Sequence, residues 1–149
     1  MNINYSQSNI NFKKGMVILG SAGPGSLDLI SLKLRYVLKK ADVVIFDALV
    51  NKKILNFCKK TVNLIYAGKL KEKKSCTQDE INQWLVNFAK ANKKVLRLKG
   101  GDISFFSRGS QEINCLRENG ISFKIFSGIT SSQTSINSSV ESFFNSSGI

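Results

Sequence analysis

The sequence predicts an α/β domain with a mainly parallel five-stranded sheet flanked by helices. Two observations carry this. Short apolar runs rich in Val, Ile, Leu and Phe alternate with stretches of helical spacing, the pattern of βαβ units. Loops carrying glycine or charge follow those runs, so the unusual residues fall at their carboxyl ends.

The first run, Met16 to Leu19, is followed by a Gly-rich turn from Gly20 to Gly25. A helix is predicted from about Ser31 to Lys40, with Leu34, Val37 and Leu38 at helical spacing. Val43 to Phe46 is a second strand, ending at Asp47, and a short helix follows around Lys52 to Phe57. Asn63 to Tyr66 is the third strand, leading into Ala67-Gly68-Lys69. Thr77-Gln78-Asp79-Glu80 reads as a capping box: the Thr77 hydroxyl takes the Glu80 amide and Glu80 reaches back. Ile81, Trp84, Leu85 and Phe88 form the apolar face behind it. Val95 to Leu98 is the fourth strand, followed by a Gly-rich loop from Lys99 to Gly109. A helix from about Ser110 to Asn119 stops at Gly120, and Phe123 to Phe126 is the fifth strand. A further short helix is predicted from Thr130, and from Ser131 the chain turns Ser- and Asn-rich. The organisation read from this is a polar tail over 1–14, one α/β domain over 15–128, and the start of something longer over 129–149.

Composition narrows the function. A chain of 149 residues suits one compact domain, and no apolar run approaches the roughly 18 residues of a membrane span. Met1 to Asn11 is polar and lacks an export signal core, and Cys58, Cys76 and Cys115 lie far apart. Their odd number and spacing imply reduced thiols in a cytoplasmic protein. Histidine is absent, which removes Ser-His-Asp triads, Cys-His dyads and nearly all zinc chemistry, so no metal site is expected. The net charge is +12, but most lysines fall on presumptive helix faces, where charge is ordinarily solvated. With no aromatic RNA-binding motif and no compact Arg cluster, neither nucleic acid nor membrane is an expected partner.

In an open parallel sheet, ligands bind beyond the carboxyl ends of the strands. Gly23-Pro24-Gly25, Asp47, Lys69 and Gly100-Gly101-Asp102 follow strands one to four in turn. Taken singly, most have an ordinary explanation. Pro24 breaks the spacing of a dinucleotide fingerprint, leaving a plain tight turn. Asp47 reads as a helix N-cap. Lys69, among Lys71, Lys73 and Lys74, reads as loop charge. Gly100-Gly101 is the stronger anomaly, since paired glycines after a buried strand suggest close backbone approach to a ligand.

Together, AGPGSLDLISL, ADVVIFDALV, AGKLKEKKSCTQDEINQWLV, VLRLKGGDISFFSRGSQEI and GISFKIFSGITSS resemble the tetrapyrrole methylase family in order and spacing, from about Gly15 to Ser132. The likeness is strongest to members acting on uroporphyrinogen III. It implies the first of two α/β domains, with S-adenosyl-L-methionine held in the cleft between them, usually in a homodimer. The reaction implied is C-methylation of this anionic tetrapyrrole to precorrin-2, feeding sirohaem or cobalamin. The alternatives are a precorrin methyltransferase acting on another ring carbon, or a non-catalytic remnant.

By position, the resemblance makes Asp47 the proton acceptor and Lys69 the proton donor. It makes Pro24, Gly100, Gly101, Asp102, Phe105, Thr130 and Ser131 the residues lining the methyl donor. Ser21 and Ser26 stand where the family's first loop usually has Gly and Asp, Ile103 and Ser127 replace prolines, and Ser107 and Ser110 replace glycines. The family's second domain is not represented, and catalysis by the 149 residues alone is not expected.

Overall fold

A computed structural model describes residues 10–22, 30–68, 77–101 and 110–127. Within them the chain forms β1 (Val17–Ser21), α1 (Leu32–Lys40), β2 (Val43–Phe46), a 3₁₀ turn (Lys52–Phe57), β3 (Asn63–Tyr66), α2 (Gln78–Lys90), β4 (Val95–Lys99), α3 (Gln111–Glu118) and β5 (Phe123–Ser127). The strands lie in the order β3-β2-β4-β1-β5, and every neighbouring pair is parallel. The central strand is therefore β4, flanked by β2 and β1.

Each of the five strands and four helical segments expected up to Phe126 is present, with boundaries shifted by at most two residues. A cap explains the shift at α1, and the cap expected before α2 is in place. Ser31 stands just outside α1 and its hydroxyl accepts the Leu34 amide at 3.1 Å. Thr77 likewise precedes α2 and accepts the Glu80 amide at 3.2 Å. Each bond satisfies one of the amides that a helix start leaves without an intrahelical acceptor. Gly120, at φ +67°, closes α3 in the left-handed conformation expected of a C′ residue. The short helix after β2 is a 3₁₀ turn, and Asn51 caps it by accepting the Lys53 amide at 3.0 Å.

Alternate strand residues supply two cores. Ile18, Val44, Phe46, Leu96 and Leu98 face Leu34, Val37 and Leu38 of α1 and Ile54 of the 3₁₀ turn. Val17, Leu19, Val43, Ile45 and Val95 face Ile81, Leu85, Val86 and Ala89 of α2 and Ile113 and Leu116 of α3. Covering both faces is what a parallel sheet requires, and it explains why β1, β2 and β4 are almost continuously buried. Each fully buried Leu, Ile or Val contributes about 1.5–3 kcal/mol. On α2 the deepest residues differ in part from the expected face: Val86 and Ala89 are buried, whereas Trp84 and Phe88 are only half-buried at its margin. Phe12, within the stretch read as a polar tail, is buried against the α1 core, and Ile10 packs beside it. No helix among the described residues is long and apolar enough to cross a membrane.

Two expected outcomes test this packing. Leu96 is fully buried at the centre of the sheet, so Leu96→Ala should lower unfolding free energy in urea by about 2–5 kcal/mol. A loss below about 1 kcal/mol would contradict the burial. The second concerns Asp42, which precedes β2 and accepts bonds from the Lys59 ammonium and, at 2.9 Å, the Lys94 amide. Burial pushes this carboxyl up. The Lys59 bond, the Lys94 amide and the charges of Lys59 and Lys93 outweigh it and hold the pKa below its ordinary value. A depressed carboxyl stabilises the fold above its unfolded pKa, and that contribution disappears as pH falls through the folded one. Asp42→Asn should therefore flatten the acid limb of stability below about pH 4 and leave its shape unchanged near neutrality.

Candidate active site at the carboxyl edge of the sheet

Parallel registers bring Ser21, Phe46, Tyr66 and Lys99 to one edge of the sheet. There the chain leaving β4 is laced to its two neighbours. The Ala22 amide donates to the Lys99 carbonyl at 2.8 Å, and the Ser21 hydroxyl donates to the Gly101 carbonyl. From the other side, Asp47 Oδ1 accepts the Gly100 amide at 3.2 Å and the Leu49 amide at 3.0 Å. Asp47 thus joins the loop after β2 to the Gly-Gly segment after β4.

Both glycines are required by this geometry. A Cβ on Gly100 would lie 2.4 Å from the carbonyl carbon and oxygen of Leu49, closer than such atoms approach. Gly101 has φ +98°, which a side chain would strain. The close approach that the sequence suggested for this pair is therefore, at Gly100, an approach of the chain to itself. Leu49 remains 68% exposed and presents an apolar side chain at the edge.

The geometry also decides how Asp47 is used. The helix-cap role is filled by Asn51, four residues on. Asp47 Oδ1 instead closes an Asx-type turn on Leu49 and reaches across to Gly100. Both of these bonds use the same oxygen, so Oδ1 is committed to the shape of the edge, and among the described residues none donates to Oδ2.

Beneath this edge, on the α2 and α3 side of the sheet, lies a charge cluster that pattern reading did not single out. Arg97 and Glu112 are 3% and 1% exposed. Arg97 Nε donates to Glu112 Oε1 at 3.0 Å, and its Nη1 reaches the Ile45 and Leu98 carbonyls at 3.3 and 3.4 Å. Lys99 Nζ stands 3.7 Å from the same Glu112 oxygen, and Gln78 Nε2 donates to it at 3.4 Å. Burial lowers the Lys99 pKa and the Arg97 charge acts the same way, only partly offset by Glu112 and Asp47. One signal in the sequence marks the cluster: an arginine inside the apolar run Val95 to Leu98, where both faces are expected to be dry.

Of the residues proposed from sequence, the structure brings Asp47, Gly100 and Gly101 together at this edge. Pro24, Lys69, Asp102, Phe105, Thr130 and Ser131 lie outside the described residues. Gly68, just before Lys69, follows β3 at the same edge, where the Ala67 amide donates to the Phe46 carbonyl at 2.8 Å. Ser21, which departs from the family's usual glycine, supplies a hydroxyl tie that glycine lacks.

Comparison with known proteins agrees with this fold. The sequence pattern of the Tetrapyrrole (Corrin/Porphyrin) Methylases matches residues 16–139. Uroporphyrinogen-III C-methyltransferase of Bacillus subtilis is 49% identical over 117 residues, covering 78% of this chain and 46% of that protein. A siroheme synthase of Thiobacillus denitrificans is 44% identical over 117 residues, which are 24% of its length. Among solved structures, the Thermus thermophilus uroporphyrin-III C-methyl transferase complexed with S-adenosylhomocysteine superposes with a TM-score of 0.63 at 37% identity. That match covers 80% of this chain and 51% of that one. The chain spans about half the length of the methyltransferases it matches.

The close approach at Gly100 has a measurable consequence. Gly100→Ala drives a methyl group into the Leu49 backbone, so it should cost about 1–3 kcal/mol in urea unfolding. The Gly100 amide should also lose hydrogen-exchange protection. Wild-type stability and protection in this variant would show that the two loops are not in contact.

Proposed function

The chain belongs to the tetrapyrrole methylase family, and from that premise we propose that it forms the first domain of an S-adenosylmethionine-dependent enzyme methylating uroporphyrinogen III to precorrin-2. The observation that carries this reading is the tie between Asp47 and Gly100 at the carboxyl edge. It sets a carboxylate beside a paired-glycine turn where α/β sheets bind ligands. The domain is proposed to run over 15–128, with 129–149 leading towards the second domain.

The residues present fit a methyl donor. Gly101 leaves backbone without side-chain bulk, Gly100 lets the Leu49 backbone pack against it, and the Ser21 and Asp47 bonds hold the segment in place. Pro24, Asp102, Phe105, Thr130 and Ser131 are proposed to complete the lining. S-adenosylmethionine supplies an electrophilic methyl group that requires no protein nucleophile. The protein's task is then orientation and proton management. Asp47 accepts a proton at Oδ2 while Oδ1 stays bonded to Gly100, and Lys69 is proposed to donate one. A substrate bearing eight carboxylates gives the +12 charge a use. A homodimer in the cytoplasm is part of the same proposal.

The test restores the length that the relatives have, by supplying the remaining half of the Bacillus subtilis protein in cis or in trans. Methylation of uroporphyrinogen III should then appear. Asp47→Asn preserves an oxygen for the Gly100 and Leu49 amides and removes only the basic carboxylate. Turnover should fall by about 10²–10⁴-fold with S-adenosylmethionine affinity and urea stability nearly unchanged. Near-full activity in that variant would remove Asp47 from the proton chemistry. The 149 residues alone should bind S-adenosylmethionine weakly or not at all, because they span about half the length of the relatives and few of the contacts that would hold it are expected within them. Micromolar affinity by calorimetry would contradict this.

A further inference from the structure

Among the described residues, Arg97 and Glu112 are the buried charged side chains, in a region lined mainly by Leu, Ile, Val and Ala. A buried ion pair is a poor device for stability alone: desolvation offsets most of the attraction, and apolar residues of similar volume often serve as well. What apolar residues lack is direction. The Arg97 guanidinium makes a rigid fork. One arm takes Glu112 in the first turn of α3, while the other reaches carbonyls of β2 and β4. Ile45 precedes Asp47 by two residues and Leu98 precedes Gly100 by two, so both carbonyls lie just inside the site. Lys99 and Gln78 converge on the same oxygen of Glu112, while its Oε2, also buried, has no hydrogen-bond partner among the described residues. The cluster thus joins four elements, β2, β4, α2 and α3, directly under the Asp47–Gly100 tie.

We propose that Arg97 and Glu112 are a positioning pair that holds the ends of β2 and β4 in the register at which Asp47 Oδ1 meets the Gly100 amide. Their importance for catalysis rests on the function proposed above, but the positioning itself is a property of the free protein. Neither residue touches the reacting atoms. Both act through the backbone at Asp47 and Gly100.

The experiment is residue-resolved amide hydrogen exchange on the full chain without ligand. Arg97→Lys retains the charge opposite Glu112 and removes the fork. The Gly100 and Ala22 amides, both bonded at the carboxyl edge, should exchange about tenfold faster. The Val43 and Gly15 amides, bonded to the Lys94 and Lys93 carbonyls at the opposite edge, should be unchanged. Equal acceleration at both edges, or none at either, would overturn the proposal. Should Arg97→Lys fail to fold, the apolar pair Arg97→Met with Glu112→Leu decides. It should recover protection at Val43 and Gly15 while Gly100 and Ala22 remain fast. Full protection at both edges in that double variant would show that filling the space suffices, and the proposal would fall. S-adenosylhomocysteine titrated against the Gly100 and Gly101 amide signals, in the chain restored to its relatives' length, separates this from the functional reading. Binding should weaken about tenfold in Arg97→Lys. If the restored wild-type protein gives no response at all, the donor-site reading fails, while the exchange result still judges the positioning.

Discussion

Because neighbouring strands all run parallel, each of the first four must be followed by a crossover before the next can begin, and the crossovers cover both faces. That constraint accounts for the two cores, one under α1 and the 3₁₀ turn and the other under α2 and α3. It also sends every strand's carboxyl end to the same edge. Asp47, Gly68 and Gly100 are far apart in sequence and meet there for no other reason. With β4 in the middle of the order, the Gly-Gly segment is flanked on both sides and bonded on both sides.

The site is built largely from backbone. Asp47 spends one carboxylate oxygen on two amides, Ser21 reaches a carbonyl, and Gly100 admits the Leu49 backbone at a distance that excludes any side chain. Such an arrangement is rigid because each tie depends on the others. It also explains how the Asp47 carboxylate can sit on a loop and still be held in place. The buried Arg97–Glu112 pair belongs to the same economy of position: its energetic return is small, and its geometry spans the strands that carry the site.

How much of this was legible in the sequence depends on the range of the interaction. The strand runs, the Thr77 cap and the Gly120 stop are local and were read with small boundary errors, since periodicity and capping act over a few residues. The apolar face of α2 was read less well. Trp84 and Phe88 fit the helical spacing, but how deeply each is buried depends on where α3 and the sheet lie. In isolation Asp47 reads as a cap, because Asp before a helix usually is one. Asn51 holds that role, a fact decided by where the 3₁₀ turn begins.

The sequence by itself determined the alternation of strands and helices, the order of the chemistry-bearing loops and the family to which they belong. Those follow from hydrophobic period and motif spacing, which are properties of neighbouring residues. Only the tertiary structure decided that Asp47 bonds Gly100, that Gly100 is glycine because Leu49 approaches it, and that Arg97 finds Glu112 inside the core. Each of those is a contact between segments separated by many residues. Strand order and register, set by how the two apolar faces pack, determine which of them meet.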